Sequence, residues 1–488
     1  MSIAAALRAQ ISDLSSAISR QQELLDDMQT RLEHLQNQLD SIAYPVLTLP
    51  PEMTSEIFIH CLPAKRDIDV VNPEEAPLLL MHVCRAWRHI AISTPALWTA
   101  FDICQTAGLH CLAEIAQAWF ERARKCPLSV SIYGSLSAHN AFDAFMKTFR
   151  QNSRQMASLE LHMHVEDFRV VDLHLFEVFD FPLLQKLSVR VLIDEDSEED
   201  PADVNAISMF YNAPLLHEVL ISEALPSFVV LPWQQITKFT GELYSVEDCL
   251  EAISLMPNLL ECTFSAFELE NDDADELAVV SHPNMQYLAL LTTTSILGKR
   301  ASSVEVLTLI RLPALRTLEI LDTDDFDEEE LDAFLELSSP PLRKLTVRPL
   351  EGANSIQLQL SPPLVGLTSL IELEVWRPAS VFVDVFFEFF GWDSSMFPQL
   401  LKLSFLGVAG LEEDMSYEAD VYEILCNAAE PIAKRRDTVA GCAQLQSFRV
   451  VSRGTFDLRF PPEDLLPFSV LKESGMDVYI GTERRSIV

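Results

Sequence analysis

The sequence predicts an α/β protein: a solenoid of short parallel strands covered by helices, preceded by a small α-helical module and an N-terminal coiled-coil helix. Three observations predict it. Apolar residues recur at alternating steps of three and four between Leu7 and Ile42; a proline- and tryptophan-punctuated helical stretch occupies 46–100; and the unit Pro-x-Leu-x-x-Leu-x-aliphatic recurs across 151–460. At 488 residues and 49% hydrophobic content, the chain is too long for one compact core and too apolar for disorder.

The first element is the seam Leu7, Ile11, Leu14, Ile18, Leu25, Met28, Leu32, Leu35, Leu39 and Ile42, interrupted at Gln21. That spacing puts the apolar side chains on one stripe of a helix, as in a coiled coil. The positions Ile11, Ile18, Leu25, Leu32 and Leu39 mix β-branched residues with leucine, so they impose no single oligomer number. Flanking residues Arg8, Gln10, Ser15, Gln22, Gln29, Arg31 and Gln36 carry few charges of opposite sign and specify orientation poorly. Residues 1–43 are expected to form a helix that pairs two copies of the chain, the alternative being an amphipathic helix folded back on its own solenoid. Pro45 ends the helix, because its ring and missing N–H prevent continuation.

The second element spans 46–100. Leu49-Pro50-Pro51-Glu52-Met53 opens a helix with proline in its first turn, where the missing donor costs nothing, and Ile57, Phe58, Cys61 and Leu62 continue an apolar face. Beyond a proline-bearing loop, Leu78 to Ala91 is expected as one second helix, and Thr94-Pro95-Ala96-Leu97-Trp98 closes the unit. The Leu49-Pro50-Pro51-Glu52 opening, the run Val83-Cys84-Arg85-Ala86-Trp87-Arg88-His89-Ile90-Ala91 and the tail Pro95-Ala96-Leu97-Trp98 stand in the order of an F-box, which this segment resembles. The resemblance covers about a tenth of the chain, with a loop over 64–76 longer than a minimal F-box has, as in an expanded fungal group. It implies that the module docks the Skp adaptor of an SCF-type cullin-RING ubiquitin ligase. It assigns that docking to Leu49, Pro50, Met53, Ile57, Leu62, Val83, Cys84 and Trp87, and leaves Ile90 and Trp98 to internal packing.

Residues 101–150 are expected to link or cap. The repeat then appears as Pro182-Leu184-Leu187-Val189, Pro214-Leu216-Val219-Ile221, Pro257-Leu259-Cys262-Phe264, Pro283-Met285-Leu288-Leu290 and Pro313-Leu315-Leu318-Ile320. It continues at Leu342-Leu345-Val347, Leu370-Leu373-Val375, Pro398-Leu400-Leu403-Phe405 and Leu445-Phe448-Val450, with weaker copies at Met156-Leu159-Leu161 and Ile236-Phe239. Most steps are roughly 20 to 32 residues, the range of leucine-rich repeats. These copies resemble the irregular repeats that follow F-boxes in the same fungal group. The first apolar residue sits at a turn and the next two share one face of a strand, because side chains alternate along β structure. A single strand cannot bury that face, so copies stack as a parallel sheet, and segments such as Val246 to Met256 and Glu328 to Leu337 cover it as helices. An insert at 411–440 and a cap or tail at 461–488 complete the order.

Composition narrows the function. A net charge of −38 opposes non-specific binding to nucleic acid or anionic membrane. On the strand face turned away from the core, bases (Lys186, Arg190, Lys238, Lys344, Arg348, Lys402, Arg449) balance acids (Glu160, Glu218, Glu242, Glu261, Glu319, Glu372, Glu374), so the excess acid lies in loops and outer helices. Target binding is expected on the C-terminal half of this concave face, at Tyr287, Leu291, Leu321, Lys344, Arg348, Trp376, Lys402 and Leu406. The basic members favour an acidic or phosphorylated target segment.

The nine cysteines show no CxxC pair, which fits a reducing compartment, cytoplasm or nucleus. The N-terminus lacks the pattern of a signal peptide, and the apolar run Val381 to Trp392 is short and broken by Asp384 and Glu388, so no membrane insertion is expected. Asp322 to Asp327 lacks the glycine and closing glutamate of a calcium loop, and His162 with His164 implies no third metal ligand. With 13 glycines and no phosphate loop, GxSxG elbow or HExxH helix, neither cofactor nor catalysis is expected. The chain reads as a non-catalytic substrate-recognition subunit joining the Skp adaptor to an unknown target protein. The alternative is a leucine-rich-repeat scaffold with no ubiquitin-ligase role.

Overall fold

The computed structural model describes residues 3–40, 49–63, 72–103, 112–134, 142–165, 167–168, 179–192, 206–267, 278–291, 305–323, 328–349, 358, 360–409, 419–437, 441–453, 461–483 and 485–488. Apart from a short stretch outside these residues, the chain divides between Trp98 and Thr99 into two compact units.

The first unit begins with one helix, Ile3–Asp40, of 38 residues. Its apolar seam is exposed from Leu7 to Leu35. Three short helices follow: Pro51–His60, Leu78–Val83 and Arg85–Ser93, with the 3-10 turn Pro95–Trp98. The first of them starts as expected on Pro51, with Glu52 in the turn where a negative charge meets the positive helix end.

The expected single helix over Leu78 to Ala91 is instead two. Cys84 adopts an extended backbone (φ −157°, ψ 171°), and its sulfur accepts the Trp87 N–H at 3.4 Å. One residue therefore stops the first helix and caps the second. Arg88 Nε then donates to the Met81 carbonyl at 2.8 Å and ties the two pieces together. Phe58, Leu80, Ala91, Leu97 and Trp98 are buried. Trp98 Nε1 donates to the Ala91 carbonyl at 2.9 Å, and the rings of Phe58 and Trp87 meet edge to face at 4.9 Å. A hydroxyl contact at 2.9 Å, Ser55 to Thr94, joins the first helix to the closing turn.

The second unit is built on strands that follow one another across a sheet in chain order. They are β1 (Ala100–Ile103), β2 (Leu128–Tyr133), β3 (Met156–His164), β4 (Lys186–Leu192), β5 (Glu218–Ser222), β6 (Lys238–Tyr244) and β7 (Glu261–Phe267). After β8 (Val280–Ser281) come β9 (Tyr287–Leu291), β10 (Ile310–Arg311), β11 (Thr317–Thr323), β12 (Lys344–Pro349) and β13 (Glu372–Trp376). β14 (Lys402–Val408), β15 (Ser447–Ser452), β16 (Asp477–Thr482) and β17 (Arg485–Ser486) complete the order. Fifteen of them form one sheet, while β8 and β10 pair separately. Neighbours in the large sheet are parallel except β16 and β17, so tight hairpins cannot join them and a crossover must separate each strand from the next. The stretch 101–150, expected to link or cap, contributes β2 and most of β1, and 461–488 contributes β16 and β17.

The register explains the repeat. Phe101, Val130, Leu159, Leu187, Val219, Phe239, Cys262, Leu288, Leu318, Leu345, Leu373, Leu403, Phe448 and Val478 lie opposite one another on successive strands. None is more than 2% exposed. A second buried row, two residues further on, runs from Ile103 through Val189, Phe264, Val347 and Phe405 to Ile480. Gly241 is the member of that row without a side chain, and a Cβ there would meet the Phe264 ring at 2.9 Å and the Tyr244 ring at 3.0 Å. Those two rings occupy the missing side chain's place.

Helices cover the same face. Val246–Leu255 starts with a capping box between Ser245 and Asp248 and buries Cys249, Leu250, Ala252 and Ile253. Further along, Ser380–Phe390 turns Phe386 and Phe387 onto Phe405 at 6.2 and 5.9 Å, and Phe387 also reaches Phe448 at 6.4 Å. The described part of the expected insert, Val421–Asp437, packs beside that helix. Gly391 permits the approach, because a Cβ there would lie 2.8 Å from the Pro431 Cα.

Arg435 locks this corner. It is 2% exposed, its guanidinium donates to the carbonyls of Phe390 at 3.1 Å and Met396 at 2.9 Å as well as to that of Phe397, and it stacks on the Phe390 ring at 4.1 Å. Burial lowers its pKa. Arg435→Met keeps the apolar stem but leaves these buried carbonyls without donors, so it should destabilise the second unit by about 3 kcal/mol or more. Thermal unfolding followed by circular dichroism checks this, and an unchanged midpoint contradicts it.

Candidate functional site

Two surfaces carry the residues that the sequence singled out. On the helical unit, Leu49, Pro50, Met53, Ile57 and Val83 are exposed, with Met53 and Val83 each at 56%. Met53 and Ile57 stand one turn apart on Pro51–His60, and the buried Thr54 and Phe58 occupy its other side. The remaining three members are half-buried. Leu62 follows the helix end, Cys84 caps Arg85–Ser93, and Trp87 lies against Phe58, so Cys84 and Trp87 hold the module together as well as bordering its surface.

Leu79 and Ile92, 45% and 40% exposed, are further apolar residues on this surface that the sequence reading missed. Leu79 and Val83 form a second pair one turn apart, while Leu80 between them is buried. The run Leu78-Leu79-Leu80 hides this difference. Burial separates Leu80 from Leu79, and nothing in the run itself announces it.

The sheet face opposite the buried rows holds the second set, and the same register orders it. Lys186, Glu218, Lys238 and Glu261 are directly opposed on β4 to β7, as are Lys344, Glu372 and Lys402 on β12 to β14. Glu218 receives both Lys186 Nζ at 2.6 Å and Lys238 Nζ at 3.0 Å. Lys402 reaches Glu372 at 3.1 Å, and Lys344 reaches diagonally to Glu319 at 2.8 Å. Glu319 also accepts the Tyr287 hydroxyl at 2.9 Å. Across the intervening Ser222, Arg190 forms a two-pronged ion pair with Glu242, its Nη2 at 2.9 Å.

These contacts shift the ionisation of their members. Partial burial works against the charge of Glu218, but hydrogen bonds from Lys186 and Lys238 outweigh it and hold the carboxyl below its ordinary value. Burial likewise opposes the charge of Lys344, and Glu319 more than compensates and raises its pKa. At the other end of the sheet, the imidazole of His162, 2.9 Å from the Glu160 carboxylate, lowers Glu160. Burial, reinforced by Glu160, pushes the Tyr133 hydroxyl up to about 12.

Of the expected target-binding residues, Lys344 and Lys402 are thus engaged by glutamates on neighbouring strands, and Arg348 lies over the Trp376 ring at 5.6 Å. The positive field expected to attract an acidic target is largely answered from within the sheet. The apolar members align instead. Leu291 opposes Leu321, and Trp376 opposes Leu406, all half-buried in one row of that face. Trp376 is steadied by its indole N–H donating to Glu374 at 2.7 Å.

Among the described residues there is no group of three histidine, cysteine or acidic side chains placed to hold a metal, and no helix long and apolar enough to cross a membrane. Ile42 and Pro45 at the end of the expected helix, residues 64–71 of the loop, 324–327 of the acidic run near Asp322, and 411–418 and 438–440 of the insert lie outside the described residues. No protein-family model matches the chain, and no curated protein matches it.

The lowered value of Glu218 sets the sign of a pH effect. A carboxyl whose folded value lies below its unfolded one adds stability above the unfolded value and loses it as pH falls through the folded one. Glu218→Gln should cost about 0.5–1 kcal/mol at neutral pH, and the difference from wild type should close as pH falls below about 4. Urea unfolding across that range checks it. A gap independent of pH would mean that packing, not charge, sets the effect.

Proposed function

We propose that this chain is a non-catalytic substrate-recognition subunit of an SCF-type cullin-RING ubiquitin ligase, an F-box protein with irregular leucine-rich repeats. The helical module docks the Skp adaptor, and the repeat solenoid presents a target protein. The observation that supports the first half is the division of the motif residues by burial: Phe58, Leu97 and Trp98 pack inside, while Leu49, Met53, Ile57 and Val83 stay at the surface. A module this small gains little by exposing large apolar side chains unless another protein covers them.

On this reading the chain contributes no chemistry of its own. It accelerates ubiquitin transfer by holding a target near the charged enzyme, which raises the local concentration of the reacting groups. Target capture is assigned to the C-terminal half of the sheet face, at Tyr287, Leu291, Leu321, Lys344, Arg348, Trp376, Lys402 and Leu406. The apolar row supplies the anchors, and the paired charges supply fit rather than net attraction.

The test replaces surface residues and spares Trp87, whose contact with Phe58 makes it part of the module's packing. Pro50→Ala combined with Met53→Asp puts a charge where an apolar groove would receive the module, which costs several kcal/mol unless that charge is paired. Capture of the purified Skp adaptor should fall by a hundredfold or more on the order-of-magnitude scale of 1.4 kcal/mol per factor of ten. Trp376→Ala should leave adaptor capture unchanged. A folded double variant that binds the adaptor as wild type does would refute this docking face, and a wild-type chain that captures no adaptor would favour a repeat scaffold without a ligase role.

A further inference from the structure

The N-terminal helix carries an apolar seam that no described part of its own unit covers. Leu7, Ile11, Leu14, Ile18, Leu25, Met28, Leu32 and Leu35 are each more than half exposed, as is Leu24 beside them. We infer that this seam pairs two copies of the chain as a parallel, in-register coiled coil.

Three features point to a second copy and to this arrangement. The first is charge. The residues that border the seam are Arg8, Ser15, Gln22, Gln29 and Gln36 on one edge and Gln10, Ala17, Leu24, Arg31 and Gln38 on the other, without a single acid. The acids of the helix, among them Asp13, Glu23, Asp26, Asp27 and Glu33, lie on its outer side. In a chain of net charge −38, this edge is a surface along which two copies meet without opposing carboxylates.

The second feature is Gln21, the polar interruption. Parallel in-register pairing sets it against its own counterpart, where each amide offers both a donor and an acceptor to the other. An antiparallel arrangement that keeps the other layers apolar would set Gln21 against Ile18 or Leu25 and leave the amide unpaired in an apolar layer. A polar residue at one such position specifies register at some cost in stability.

The third is length. Two 38-residue helices joined along this seam bury an area in the range of stable protein interfaces, roughly 1,200–2,000 Å².

Parallel pairing also has a consequence for the proposed function, on which this further step rests. Both helices would end at Asp40 on the same side of the pair, so a dimer would present two adaptor-docking modules together. One assembly would then hold two ligase cores against one target or against two linked targets.

The test uses the full-length chain. Light scattering at micromolar concentration should give twice the chain mass for the wild type, with no substitution needed. Leu14→Cys and Leu35→Cys, made separately and oxidised mildly, should each form a covalent dimer linked between identical positions, as peptide mapping would show, beyond whatever the native cysteines give in the wild type. A monomeric wild type overturns the proposal. So does a chain in which Leu14→Cys cross-links to Leu32→Cys but not to itself, because that is the antiparallel pairing. Skp capture measured on the same proteins reads the docking proposal separately: cross-linking retained without adaptor binding would refute docking and leave pairing intact.

Discussion

A strand with one apolar face cannot shelter that face alone, and the second unit is organised around this constraint. The row from Phe101 to Val478 and the row two residues beyond it cross successive strands as continuous buried lines. Each residue's burial depends on the strand before it and the strand after it. Cooperation of this kind between neighbours makes a stacked sheet stable where its single repeat would not be. It also fixes register, because a slip of one residue would exchange both buried rows for the polar ones.

Fixed register is what makes the opposite face chemically definite. Lysines and glutamates fall opposite each other across β4 to β7 and β12 to β14 because the apolar rows hold the strands in place. The resulting ladder neutralises a face of a molecule that is otherwise strongly acidic. On the proposed function, such a face would leave recognition to shape and to apolar contacts such as Trp376 and Leu406. The N-terminal helix follows the same logic on a smaller scale, with its acids turned away from the seam it exposes.

Much of this was legible in the sequence where a repeat copy leads with leucine or methionine, as at Leu184, Leu315 and Leu400. The strands β1, β2 and β16 were harder to see. Trp98, Pro127 and Gly475 stand at the place of the leading residue, and the strands themselves are short or mixed in composition. Other features depend on three-dimensional neighbours that spacing does not reveal. Cys84 belongs to a run with helical propensity throughout, and its extended backbone is stabilised by a sulfur contact that no pattern announces. Arg435 sits in the basic run Lys434-Arg435-Arg436, yet its guanidinium is buried against main-chain carbonyls. The lysines near Trp376 were visible as positive charge, but their glutamate partners lie on neighbouring strands, about 25 to 30 residues away in sequence.

The central claim is that the apolar residues left outside the small helical core form a docking face. Hydrogen exchange of the full-length chain, with and without the purified Skp adaptor, addresses it without any substitution. The account predicts slowed exchange over Pro51–His60 and Leu78–Val83 on adding the adaptor, with the strands of the sheet unchanged. Adaptor binding that protects the sheet and leaves those two helices unaffected, or no protection anywhere, would contradict it.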